Sequence, residues 1–152
     1  MISADPIDTL VELFPRLFRG QRPGSFSSLP EGWLKLASQL FDDLDRMLDG
    51  NNAPLFEVRQ IKEKLCRLRV YFWLGPPFAA EDETAHRAWS PTREKVSDRI
   101  RVAGDESEST CQRCGAGDAP LRRPAELVTL CESCWTLRIA NQDHHLLGGS
   151  SP

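Results

Sequence analysis

Two pairs of cysteines near the C-terminus restrict the fold of this chain more than any other feature. They are Cys111 and Cys114, then Cys131 and Cys134. The 16 residues between the pairs run from Gly115 to Leu130. Two residues between cysteines allow a tight turn to aim both sulfurs at one point, and this double spacing is typical of a four-thiolate zinc site. Two disulfides or free thiols are the alternatives.

The residues around the cysteines predict a small zinc module. Leu127 to Leu130 is predicted to form a short strand, and a helix is predicted from Cys131 to about Asn141. A knuckle, a hairpin and a helix that carries the last two ligands resemble a treble clef. Four cysteines close the coordination shell, so we expect a structural Zn²⁺ ion and no open catalytic position. His144 and His145 are alternative ligands, or solvated residues of a fraying helix end.

Charge and segment composition argue against several classes of protein. The net charge is −3, and residues 111–152 carry four basic and four acidic side chains, so the zinc module is neutral. A finger that binds duplex DNA usually presents a basic face. The first residues do not resemble a signal peptide, and no stretch approaches 18 apolar residues. With cysteines assigned to a metal, we expect a cytoplasmic protein and no membrane partner.

The first half of the chain predicts amphipathic helices. Residues 6–18 have a helical apolar pattern that Pro15 should interrupt. Residues 30–49 form the clearest helix, and its apolar positions recur at helical spacing. They are Trp33, Ala37, Leu40, Phe41, Leu44 and Leu48. Four carboxylates lie largely on the opposite side, where they form a solvated face or bind a divalent ion or a basic partner. They are Asp42, Asp43, Asp45 and Asp49.

Residues 55–74 alternate apolar and polar side chains and predict a β-hairpin. Its polar face combines cations with two aromatic rings. The members are Arg59, Lys62, Lys64, Arg67, Arg69, Tyr71 and Trp73. Such a face suits nucleic-acid binding or a protein-binding hot spot equally well, and a salt-bridged outer sheet face is the alternative without function.

The segment Ile61 to Tyr71 resembles the IKEKFGGLRFY stretch of a group of small bacterial and phage proteins. In that group the stretch follows a helix that opens with Gly-Trp, here Gly32-Trp33, and precedes a CxxCG…LCxxC segment. The resemblance covers roughly residues 30–136 and implies the same architecture and metal site, but no activity. This chain has Leu65-Cys66-Arg67 where the group has Phe-Gly-Gly. Without those glycines we expect a wider turn or a bulge.

These patterns together predict an α+β fold in which amphipathic helices pack on a small antiparallel hairpin, followed by the treble-clef-like zinc module. We expect a helical and hairpin domain over residues 1–104, the zinc module over residues 105–147, and a disordered tail over residues 148–152. A polar linker should begin at Gly104, after a helix over residues 91–103 whose Val96, Ile100 and Ala103 face inward.

No arrangement of residues in the sequence indicates an enzyme. It has no phosphate-binding glycine loop and no metal-hydrolase pair of histidines spaced across one helical turn, and residues 115–130 contain no histidine for a metal-dependent nuclease. We therefore expect no catalytic residue and no small-molecule substrate. The first hypothesis is a zinc-stabilised protein-binding module, such as an inhibitor, immunity or adaptor protein, docking through the four aspartates. The alternative is a nucleic-acid-binding or transcription-related protein that uses the hairpin, extended by Arg122 and Arg123.

Overall fold

The structure is a computed structural model that describes residues 5–24, 26–75, 90–123 and 127–148. For Ser90 and residues 143–148 it describes the backbone only. Apart from Gly148, the predicted tail therefore lies outside the described residues. None of the described helices is long and apolar enough to cross a membrane.

Two short helices open the chain. Helix α1 spans Pro6–Leu13 and α2 spans Pro15–Phe18. The Asp5 carboxylate accepts the Ile7 N–H at 2.8 Å and caps α1. The break falls immediately before Pro15, as predicted, because proline has no N–H to continue the helical ladder.

Helix α3 spans Leu34–Met47 and follows a turn of 3-10 helix at Glu31–Trp33. The six apolar residues predicted to face the core are all buried, which confirms the helical pattern. The Phe41 ring packs edge-on against Phe18 at a centroid distance of 5.0 Å. The apolar stripe of α3 is therefore the surface on which α1 and α2 pack.

Strands β1, Phe56–Lys64, and β2, Arg67–Leu74, form the predicted antiparallel hairpin. The expected wider turn is wrong. Lys64 pairs with Arg67, so only Leu65 and Cys66 form the turn, and their φ angles are +53° and +62°. Positive φ at both central residues is the type I′ pattern that matches the twist of paired strands. A bulge does occur, but between Val58 and Gln60 in β1.

Helix α4 spans Ser90–Ser107 and packs against both α3 and β2. Val96 and Ala103 are fully buried and Ile100 packs against the same core, as predicted. The linker expected from Gly104 starts later, because helical hydrogen bonding continues to Ser107. The predicted domain boundary between residues 104 and 105 thus falls within this helix.

The remaining elements are short strands β3, Leu121–Arg122, and β4, Val128–Thr129, and helix α5, Glu132–Gly148. Strands β3 and β4 pair antiparallel. We call residues 108–148 the cysteine module and residues 5–107 the body. The described residues thus form an α+β fold with helices around a two-stranded sheet and a four-cysteine cluster near the C-terminus.

Candidate metal centre

The first two cysteines lie on a tight turn shortly after α4. The Cys111 N–H donates to the Ala116 carbonyl at 2.8 Å, and the Gly115 N–H donates to the Cys111 carbonyl at 3.0 Å. Gly115 has a φ of +83°, a left-handed conformation that glycine adopts without a Cβ clash. The turn brings the buried Cys111 and the exposed Cys114 to the same side of the chain.

The other two cysteines lie at the start of α5. Cys131 directly precedes the helix, Cys134 lies in its first turn, and the Trp135 N–H donates to the Cys131 carbonyl at 2.9 Å. The predicted strand and helix are confirmed, although α5 runs to Gly148. A helix N-terminus presents unpaired N–H groups and a partial positive charge, which stabilise thiolates.

The four sulfurs converge on one point. The Sγ atoms of the cluster all lie within 4.8 Å of one another, and those of Cys114 and Cys131 are 3.7 Å apart. Tetrahedral zinc with Zn–S bonds of about 2.3 Å requires sulfurs about 3.8 Å apart. A disulfide requires an S–S distance of about 2.05 Å, and all five cysteines are free. The cluster therefore has the geometry of a metal site and does not form two disulfides.

The pKa values of the cluster cysteines show how strongly the four thiols interact. Burial raises the pKa of Cys111, but backbone N–H groups, led by those of Cys114 and Cys131, outweigh it and lower the pKa to about 6. Burial and the neighbouring thiols raise the pKa of Cys134 to about 12. The Ala116 N–H lowers the pKa of Cys114, yet the adjacent Cys111 and Cys131 leave it raised. A bound dication would offset this repulsion among thiolates.

The cysteine module meets the start of α3 with almost no space between them. The Gly32 N–H donates to the Gln112 carbonyl at 2.9 Å. A Cβ on Gly32 would clash with the Cys111 carbonyl oxygen and lie 2.6 Å from the Gln112 carbonyl carbon. The buried Trp33 indole N–H donates to the Thr110 carbonyl at 2.9 Å. Gly32-Trp33 thus joins the body to the first cysteine turn.

The hairpin turn makes a second junction with the module. The Cys66 thiol is buried, which raises its pKa, and lies next to the Thr129 hydroxyl of β4, which lowers it. The Cys66 N–H donates to the Glu63 carboxylate at 2.7 Å, and the Leu68 N–H donates to the buried Ser107 hydroxyl at 2.9 Å. These contacts hold the two left-handed turn residues in place, although neither is glycine.

All four aspartates of the predicted docking face form ion pairs or hydrogen bonds within the chain. Asp43 pairs with Arg99 of α4 at 2.7 Å, and Asp45 pairs with Arg16 at 2.9 Å. Asp42 pairs with Arg46 one helical turn along, at 2.9 Å. The Asp49 carboxylate instead accepts the backbone N–H groups of Asn51 and Asn52. The acidic residues therefore join α3 to its neighbours and close the loop that follows it.

The strand register places the polar hairpin residues on one face. Lys62 lies opposite Arg69, and Lys64 lies opposite Arg67. The Lys62 ammonium lies 5.3 Å from the centre of the Tyr71 ring. We call this surface the outer hairpin face. Its members are Glu57, Arg59, Gln60, Lys62, Lys64, Arg67, Arg69, Tyr71 and Trp73; Arg59 lies in the bulge and belongs to the face through its contact with the Trp73 ring.

Cations on this face differ in how far they are neutralised. The Arg59 guanidinium lies 5.7 Å from the centre of the Trp73 ring and 3.4 Å from the Glu57 carboxylate. Arg67 is turned toward α4, where it pairs with Asp105 at 2.7 Å and Glu108 at 2.9 Å. Those two carboxylates raise the pKa of Arg67 against the opposing effect of burial.

Arg122 and Arg123, predicted to extend the outer hairpin face, lie in different surroundings. Arg122 lies on β3 in the module, where it pairs with Glu132 at 3.1 Å and lies 5.5 Å from the centre of the Trp135 ring. It therefore packs beside the cysteine cluster. Arg123 is exposed. The side chains of His144 and His145, the alternative metal ligands, lie outside the described residues.

Two glycines in close contact with neighbouring residues, Gly32 and Gly104, are not indicated by local sequence patterns. Gly32 stands out only in the resemblance, and the sequence at Gly104 predicts the start of a linker. A Cβ on Gly104 would lie 2.8 Å from the Arg67 guanidinium carbon, so Arg67 lies directly over the helix there. Both positions depend on contacts with residues distant in sequence, and no local pattern shows such contacts.

Comparison with known proteins adds no further assignment to this geometry. No protein family, curated protein or solved structure matches the chain.

Proposed function

We propose that this protein is a non-enzymatic binding module that docks on a partner protein through the outer hairpin face. A zinc ion in the four-cysteine cluster, within a treble-clef arrangement of knuckle, hairpin and helix, keeps the C-terminal region folded. The observation that carries the proposal is the pair of cation–aromatic contacts on one exposed sheet face, Arg59 with Trp73 and Lys62 with Tyr71.

Zinc fits the cluster because of its donor set and distances. Four thiolates at tetrahedral spacing match structural zinc, and they leave no position for a reactive water. The ion would act as a scaffold. The cluster lies at the junction with Gly32 and two residues from the buried Thr129, which contacts the hairpin turn. A metal there would hold the turn and the end of the outer hairpin face in place.

The composition of the outer hairpin face favours a protein partner. Tyrosine, tryptophan and arginine are the residues most enriched at protein-binding hot spots. The Tyr71 side chain is 48% exposed although it lies in the middle of a strand. Its ring offers a rigid amphipathic surface at small cost in conformational entropy, and the Lys62 ammonium lies against it.

Charge pairing makes nucleic acid a weaker candidate for this face. A protein that binds a phosphate backbone needs several cations available to replace condensed counterions. Arg67 is held by two carboxylates, and Glu57 lies beside Arg59.

The acidic side of α3 is likewise a weaker docking surface than the sequence predicts, because its carboxylates bind residues of the same chain. Binding through the hairpin would act by covering the partner's surface, as expected of an inhibitor or adaptor.

Affinity capture with matched variants tests the proposal. The bait is the full chain as the wild type, as Tyr71→Ala on the outer hairpin face, or as the control variant Asp42→Ala on α3. Each capture is carried out with and without nuclease. We expect one protein captured in stoichiometric amount by the wild type and by Asp42→Ala, insensitive to nuclease, and lost with Tyr71→Ala. Capture lost only with Asp42→Ala would move the surface to α3. Capture abolished by nuclease would instead identify a nucleic-acid-binding protein.

A further inference from the structure

A groove runs between β2 and α4, next to the outer hairpin face. It has a volume of about 230 Å³. Its floor is apolar, formed by Leu68, Val70 and Ile100, and its rim carries three guanidinium groups. They belong to Arg67, Arg69 and Arg101. Tyr71 lines the same groove, so it is continuous with the surface proposed to bind a partner.

The three arginines of the rim differ in their contacts. Arg67 is bound by Asp105 and Glu108, and Arg101 pairs with the second oxygen of Asp105 at 3.3 Å. The Nε atom of Arg69 is shielded from solvent and has no hydrogen-bond partner among the described residues. A buried donor without an acceptor is unfavourable. An acceptor that a ligand brings to this guanidinium would satisfy it.

The charges around the groove select for an anionic ligand. Three arginines line the groove and two carboxylates pair with them, while Lys62 and Lys64 lie opposite Arg69 and Arg67 on the neighbouring strand, so the surroundings are net positive. A carboxylate matches that charge, and its planar pair of oxygens fits the planar guanidinium fork. The apolar floor suits the methylene groups that carry a glutamate carboxylate.

We propose that this groove, with Arg69 as its main donor, binds a carboxylate side chain presented by an acidic segment of the partner protein. This inference rests on the proposed function and identifies the chemistry of the partner's contact. A carboxylate in the groove meets Arg69 and Arg101 while its neighbouring residues pack on Tyr71 and Lys62. The groove thus provides charge specificity beside the aromatic contact.

The test uses the full chain and a hexaglutamate peptide, with the Arg69 side-chain N–H signal followed by NMR. We expect this signal to shift with the peptide, and Arg69→Gln to weaken binding about tenfold. Arg46→Gln, an exposed arginine on α3, is the matched control and should bind as the wild type does. Ser97→Glu places a carboxylate of the chain itself at the groove, where it should compete with the peptide and weaken peptide binding. This variant tests the groove if Arg69→Gln does not fold.

Other ligands separate the possible sources of the anion. Inorganic phosphate and hexathymidylate are titrated at the same ionic strength. A shift of the Arg69 signal with either of these and not with hexaglutamate would overturn the carboxylate assignment, as would no shift with any ligand. If Arg69→Gln captures the partner protein as well as the wild type while Tyr71→Ala does not, the groove proposal fails and the proposed function remains.

Discussion

The body and the cysteine module are stabilised by different means. The described residues of the body bury a cluster of 21 apolar residues, most of them from its helices and both hairpin strands. Among the described residues of the module, the buried cluster has five members, and two of these are Cys111 and Cys134. The body can fold through apolar burial, whereas a region with so small a core needs an additional cross-link such as a bound metal ion. The two regions should therefore respond differently to the same treatments.

Metal removal should have the largest effect and should separate the two regions. Structural zinc contributes roughly 10–16 kcal/mol of apparent folding free energy in small zinc domains. In Cys114→Ser, or after chelation, we expect amide hydrogen-exchange protection to be lost in α5 while α3 remains protected.

The fifth cysteine provides the control for this experiment. Cys66→Ala leaves all four cluster cysteines in place and should keep both metal content and α5 protection. Equal loss of protection in α3 and α5 would show that the regions do not differ as described.

A core substitution should affect the body in the complementary way. Phe41 is fully buried and packs against Phe18, so Phe41→Ala should lower the free energy of unfolding by about 3–5 kcal/mol. Urea denaturation followed by far-UV circular dichroism measures it. Met47→Ala, on the same helix but 41% exposed, should cost far less. Similar losses for the two variants would contradict the burial pattern of α3.

Metal affinity should depend steeply on pH. The raised pKa values of Cys114 and Cys134 keep both thiols protonated at neutral pH, so binding must release at least two protons. Affinity should therefore rise at least 100-fold per pH unit, about 2.7 kcal/mol or more, between pH 6.5 and 8. Below the Cys111 pKa of about 6 a further proton competes and the dependence steepens.

Calorimetric titration in buffers of different ionisation enthalpy counts these protons. Cys66→Ala should release the same number as the wild type. Release of fewer than two protons on metal binding would contradict the described interaction among the thiols.

The junction between the regions should tolerate no side chain at Gly32. Overpacking typically costs about 1–3 kcal/mol, and Gly32→Ala places its Cβ against backbone atoms of the cysteine turn. We expect a loss of this size in thermal unfolding, with weaker metal binding. Gly50→Ala, where a Cβ meets nothing within 4 Å, should be nearly neutral. A Gly32→Ala variant as stable as Gly50→Ala would mean that the junction is looser than described.

The smallest effect should be a gain in stability at the hairpin turn. Leu65 is 69% exposed and has a φ of +53°, which costs a residue with a Cβ about 1–2 kcal/mol relative to glycine. Leu65→Gly should therefore stabilise the protein by about 1 kcal/mol and leave metal content unchanged. Denaturant titration measures the change, and a clear loss of stability would show that the Leu65 side chain makes an important contact.

Periodicity predicted the elements whose residues alternate between core and solvent. The apolar stripe of α3 and the alternation in β1 and β2 follow from burial on one side only, which a sequence shows directly. The cysteine spacing likewise predicted the cluster, because metal ligands must converge.

Tertiary contacts determined what the sequence did not show. The tight turn at Leu65-Cys66 survives without glycine because Glu63 caps it and Thr129 packs beside it. Helix α4 continues past Gly104 to Ser107, and distant residues bind this last turn: Arg67 pairs with Asp105, and the Leu68 N–H donates to the Ser107 hydroxyl. Partners from distant parts of the chain likewise neutralise the acidic face of α3: Asp43 pairs with Arg99 from 56 residues away.

Zinc K-edge X-ray absorption on the purified full chain tests the central claim most directly. With metal content measured on the same sample, we predict one zinc per chain, bound by four sulfurs at about 2.3 Å. A chain purified without zinc, or a coordination shell that contains nitrogen or oxygen in place of sulfur, would contradict the assignment of the four cysteines as a structural metal site.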